Sequence, residues 1–105
     1  MQGTCLKLFV SEAQRHGGEL LYEWLLEEAK KIGIAGGTAF RAVAGFGRHG
    51  KLHEEAFFEL AGDLPVEVEF LVSEGQAEQL LGLLQAHNLK LFYVKMPAAY
   101  GITGG

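Results

Sequence analysis

Apolar and polar residues alternate along four short stretches of the chain and recur at helical spacing in two others. In TCLKLFV (4–10), Leu6, Leu8 and Val10 fall on one side and Cys5, Lys7 and Phe9 on the other, which predicts a strand. SEAQRHGG then reads as turn material. From Glu19, ELLYEWLLEEAKKIG sets Leu21, Leu25, Glu28, Ala29 and Ile32 at helical spacing, with Lys30 and Lys31 late and Gly33 as a C-terminal stop. TAFRAVAGFG (38–47) alternates again, with Phe40, Ala42, Ala44 and Phe46 opposite Arg41 and Val43. VEVEFLV (66–72) follows Pro65 and alternates with period two. SEGQAEQLLGLLQAHN predicts a second helix that opens at Ser73 and ends near Asn88, on a stripe of Ala77, Leu80, Leu81 and Leu84. LKLFYVKM (89–96) is the last expected strand, and residues 97–105 form a glycine-ended tail expected to be partly mobile.

The element order is β-α-β-β-α-β, the split unit of the ferredoxin-like fold. The expectation is an α+β domain over residues 1–105, with a four-stranded antiparallel sheet and two helices on one face. The other face is expected bare, with Lys7, Arg41, Glu67, Glu69 and Lys95 among Phe9, Val43, Leu71 and Tyr93. Large apolar side chains mixed with cross-strand charges suit an interface with another chain, the alternative being an ordinary solvated sheet.

At 105 residues the chain is one domain long. A formal charge of −4 excludes a general nucleic-acid or membrane-surface binder, so an anion site must come from a local cluster. Cys5 is the sole cysteine, which excludes an intrachain disulfide and a cysteine zinc cage. No apolar run approaches the ~20 residues of a membrane span, and CLKLFV is too short for a signal-peptide core. The chain reads as soluble and cytoplasmic.

The candidate chemistry concentrates in AGFGRHGKLHEE (44–55), within a connection longer than hairpins use. Gly45 and Gly47 leave backbone N–H groups open to an anion, Arg48 supplies a planar fork and Lys51 a mobile point charge. The same pattern also fits a strand bulge with Arg48 solvated. His49 and His53, four residues apart, form a rival metal pair without an obvious third ligand. His16 and His87 fall at a loop and a helix end, where His87 complements the helix dipole. Ser11 and Cys5 have no positioned base, and no phosphate-binding P-loop pattern occurs, so an enzyme is the minority reading.

GELLYEWLLEEAKKIGIAGGTAFRAVAGFGRHGKLHEE, followed by LAGDLPVEVEFLVSE, resembles the PII-like bacterial and archaeal family known as domain of unknown function 190, from about Lys7 to Val94. More distantly the chain is similar to the nitrogen-regulatory PII signalling proteins, with a glycine–isoleucine turn and a second strand ending in Gly-Phe-Gly-Arg. That likeness implies a homotrimer with adenine nucleotides in the clefts between subunits and a long loop presented to a transporter or enzyme. It implies nucleotide contacts at Gly37, Gly45, Gly47, Arg48 and Lys90, with Lys51 beside them. The chain departs from the PII pattern in the short HNLKLFYV, the lack of arginines after the final strand, and Ala39 in place of a base-contacting threonine. AMP, a cyclic nucleotide or another small anion is therefore as well suited as ATP. A metal-binding trimer similar to the copper-tolerance ferredoxin-like proteins and a ligand-free adaptor are the alternatives.

Overall fold

The computed structural model describes residues 1–45 and 64–104. Strand β1 spans Gln2–Ser11, and a small ribbon of β2 (Arg15–His16) and β3 (Glu19–Leu20) follows it. Helix α1 (Leu21–Lys31), β4 (Gly37–Arg41), β5 (Pro65–Val72), helix α2 (Glu74–Ala86) and β6 (Phe92–Ala99) complete the chain. The main sheet has the order β4-β5-β1-β6 with every pairing antiparallel. This is the ferredoxin-like split βαβ arrangement, as the element order predicts.

The two central strands carry the core. Leu6, Leu8 and Val10 of β1 stand opposite Phe70, Val68 and Val66 of β5, and all six are buried. Helix α1 lays Leu21, Trp24, Leu25 and Ala29 on this surface, and α2 adds Ala77, Leu80 and Leu84. Each set recurs at three- and four-residue intervals, so one stripe of each helix meets the sheet.

The helix ends are built from local chemistry. Ser73 and Gln76 form a reciprocal capping box on α2: the Gln76 N–H donates to Ser73 Oγ and the Ser73 N–H to Gln76 Oε1, each at 3.1 Å. Both helices close with the same C-terminal motif. After α1 the Ile34 N–H reaches the Ala29 carbonyl and the Gly33 N–H reaches that of Lys30, with Gly33 at φ 92°. After α2 the Leu89 and Asn88 N–H groups reach Leu84 and Gln85, with Asn88 at φ 57°. Glycine and asparagine are the residues that tolerate this left-handed turn.

Several expectations need correction. SEAQRHGG is more than a turn: Gly17 and Gly18, at φ 61° and 89°, close the β2–β3 ribbon, a backbone twist that matches paired strands. The second main strand stops at Arg41 instead of running to residue 47, and its faces are exchanged. Gly37, Ala39 and Arg41 pair with Phe70, Val68 and Val66 on the helix side, whereas Phe40 pairs with Glu67 on the open side. Arg41 therefore leaves the bare face and binds Glu12 at 2.7 Å. On β6, which runs from Phe92 to Ala99 and not from 89 to 96, Tyr93 and Lys95 align with Leu8 and Leu6 and belong to the helix side. Lys95 turns to α2, where it binds Glu74 at 2.6 Å and Glu78 at 2.5 Å.

Candidate functional site: an open sheet face and three separated candidate positions

The open face of the sheet joins Cys5, Lys7 and Phe9 of β1 to Glu67, Glu69 and Leu71 of β5. Phe40 flanks them on β4, and Phe92, Val94 and Met96 on β6. Lys7 stands opposite Glu69. Phe40, Leu71, Phe92 and Met96 are 51%, 46%, 41% and 40% exposed, and Phe9 packs its ring 5.6 Å from that of Phe92. Four large apolar side chains on one sheet face, interleaved with charges of both signs, make a patch of the kind that protein partners cover. Cys5 lies within it, buried; desolvation, then a hydrogen bond to Glu69 at 3.5 Å, push its thiol above the ordinary range.

The described candidate residues fall in three places. Gly37 opens β4 directly over the Phe70 ring, where an added Cβ would lie 2.4 Å from Phe70 Cε1 and 3.1 Å from Leu26 Cδ2. Its glycine identity is therefore accounted for by close packing of strand on ring. Gly36 and Gly37, with Lys30, Ile34 and Ala35, also rim a hollow of about 240 Å³ at the C-terminal end of α1. Gly45 lies past the other end of β4, with an added Cβ 3.2 Å from Pro65 Cγ. β4 spans Gly37–Arg41, so these glycines are separated by at least roughly 13 Å of extended chain.

Lys90 lies on the connection from α2 to β6. It borders a groove of about 480 Å³ with Glu78, Leu81, Leu84, Leu91 and Tyr93, within the size range of small-molecule sites. Lys90 and Gly45 are at the same end of the sheet, because β6 begins beside Phe9 and β4 ends beside Val66. They occupy opposite edges, β6 and β4, so three interstrand steps, or roughly 14 Å, separate them. Gly47, Arg48 and Lys51, with the rival pair His49 and His53, lie outside the described residues.

Sequence reasoning missed two groupings. Glu74 accepts from Lys95 and from Thr4 Oγ1 at 2.8 Å. Those two bonds hold its carboxyl below the usual carboxylate range, while Glu74 and Glu78 push the Lys95 ammonium well above the lysine range. The second grouping is aromatic: His16, Trp24 and His87 meet edge-on, with centroids 4.6 to 5.3 Å apart. No local pattern announces it, since His16 and His87 are 71 residues apart and converge only through the fold.

Among the described residues no helix is long and apolar enough to cross a membrane. Comparison with known proteins gives this geometry its context. The chain is 33% identical to a UPF0166 protein of Aquifex aeolicus, across 85% of this chain and 92% of that one. It is 32% identical to the UPF0166 protein MJ1524 of Methanocaldococcus jannaschii, across 77% and 74%. Among solved structures it resembles a PII-like signalling protein of Thermus thermophilus, at TM-score 0.60 and 20% identity over 92% of this chain and 86% of that one. It resembles CPII of Thiomonas intermedia K12, solved with ADP and bicarbonate, equally well: TM-score 0.60 and 20% identity over 93% and 87%. The model of the family DUF190, described as Uncharacterized ACR, matches residues 3–93. On a PII-like ferredoxin fold, and with that match across most of its length, the chain belongs to the DUF190 family.

Proposed function

We propose that the protein is a regulatory homotrimer without catalytic activity of its own, working in the cytoplasm. It binds an adenine nucleotide or a similar small anion at the clefts between protomers. The observation that carries this reading is the placement of Gly45 and Lys90 at one end of the sheet but on opposite edges. One phosphate group cannot touch both within a single chain. A neighbouring copy that brings its β6 edge against this chain's β4 edge supplies the missing half. The apolar open face offers the surface for such an assembly, and CPII, of the same fold, has been solved with ADP and AMP.

In this reading Gly45 and Gly47 present backbone N–H groups to the anion, and Arg48 and Lys51 neutralise it. Lys90 reaches in from the adjacent protomer, and Gly37 borders the ligand from the far end of β4. Residues 47–57 form the signalling loop, read by a protein partner such as a transporter or enzyme. A ligand that prefers one loop state by about 1.4 kcal/mol shifts the population ratio tenfold.

Calorimetric titration with AMP, ADP, ATP and cyclic AMP tests the reading, on wild type and on Arg48→Ala. Saturable heat with at least one nucleotide, abolished or strongly weakened by Arg48→Ala, is expected. Absence of heat with all four, or heat unchanged by the substitution, rejects the assignment. Light scattering at micromolar concentration tests the assembly, and a stable monomer there rejects the trimer.

A further inference from the structure

From the contact between the two histidines outside the nucleotide reading, we infer a second ligand site, a transition-metal site at His16 and His87. The ribbon β2–β3 carries His16, and His87 is the C-cap of α2. His16 Nε2 and His87 Nδ1 face each other at 3.3 Å. Two imidazole nitrogens bound to one tetrahedral zinc at its usual bond length lie roughly 3.3–3.4 Å apart. The fold thus holds two nitrogen donors at the spacing a metal imposes.

Both rings are braced. The Trp24 ring, buried on α1, touches His16 at 4.6 Å and His87 at 4.9 Å between centroids. Glu19, across the ribbon from His16, turns its carboxyl toward Glu27 of α1 and adds no ligand to the pair. His87 is exposed, so an ion has a path from solvent. Among the described residues no third histidine, cysteine or carboxylate completes a closed cage. The site is consequently open, with water in the remaining positions. The spacing is that of a tetrahedral ion, so Zn²⁺ is the metal the pair suits; Cu²⁺, which binds a given nitrogen site more tightly than Zn²⁺ or Ni²⁺, serves as the probe. On binding, the imidazole that carries the bridging proton gives it up at the coordinating nitrogen and takes one at its other ring nitrogen, so both rings stay neutral.

Trp24 is the only tryptophan in the chain and reports on this site directly. Cu²⁺ is titrated into the full-length protein and Trp24 fluorescence is recorded, for wild type, His16→Gln, His87→Gln and the double variant His49→Gln/His53→Gln. Saturable quenching at one ion per protomer is expected for wild type and for the His49/His53 variant. His87→Gln should weaken it by at least about tenfold, because even outer-shell partners of a metal matter by that much. His87 is exposed at a helix end, so its variant keeps the fold, which circular dichroism verifies; His16→Gln gives the second reading. Unchanged quenching in His16→Gln and His87→Gln, its loss in His49→Gln/His53→Gln, or no saturable quenching in wild type overturns the site.

Discussion

Replacing Gly37 by alanine places a methyl group against the Phe70 ring, 2.4 Å from Cε1 and 2.6 Å from Cδ1. Real Cβ atoms do not come that close, so either the strand or the ring must shift. Phe70 is fully buried in the core of β5 and faces Gly37 across the β4–β5 pairing, which leaves the ring little room to turn. Overpacking of this kind costs about 1–3 kcal/mol, or roughly 4–8 °C of Tm per kcal/mol for a domain near this size. Gly37 is not at a positive φ, so backbone strain adds nothing and the penalty is steric. A double-mutant cycle isolates it. Phe70→Leu removes the ring edge and costs stability by itself through lost packing, yet in that background Gly37→Ala should become nearly neutral. Thermal unfolding of the four proteins at one fixed concentration provides the measurement. A Gly37→Ala change within 0.5 °C of wild type (about the precision of such a comparison) would refute the packing account. So would an equal loss with and without the phenylalanine.

Further outcomes follow from the same structure. Ser73→Ala removes the oxygen that caps α2 and should destabilise by about 1 kcal/mol; denaturant unfolding that shows no change would contradict the capping box. Because the folded state lowers the Glu74 pKa, its contribution is present above the unfolded carboxylate range and disappears as pH falls through the folded value. The Tm difference between wild type and Lys95→Met should therefore be larger at pH 7 than at pH 3, and a difference independent of pH would oppose this. Cys5, buried and with its thiol pKa raised, should resist iodoacetamide at pH 8 until denaturant is added, as mass spectrometry can follow; rapid labelling of the native protein would contradict its placement.

The sequence revealed the centre of the sheet better than its edges. In β1 and β5 one face must meet the helices, so alternation identifies Leu6, Leu8 and Val10 and their partners Val66, Val68 and Phe70 without ambiguity. At the edges the rule fails, because the open face is itself apolar. Phe40 of β4 was expected inward on hydrophobicity, but the helix side there needs glycine over Phe70, and Phe40 points outward. On β6 the same inversion places Phe92 and Met96 on the open face, while Lys95 satisfies two carboxylates of α2. The helix stop at Gly33 and the opening of α2 at Ser73 were legible because capping is local. The His16–Trp24–His87 cluster was not, since only the closed fold brings the β2–β3 ribbon to the end of α2. The glycine and basic positions were legible as residue types. The separation of Gly45 and Lys90 onto opposite edges of the sheet was not, because a linear pattern carries no interstrand distances.

The central claim is that the anion pocket exists only between protomers. Leu71→Arg places a charge in the middle of the open face, on central strand β5, without disturbing the core. The decisive measurement is an ADP titration by calorimetry of this variant, brought to the monomeric state as judged by light scattering, beside wild type. The account predicts saturable binding in the assembled wild type and none in the monomer. ADP bound equally well by a folded monomer would contradict it.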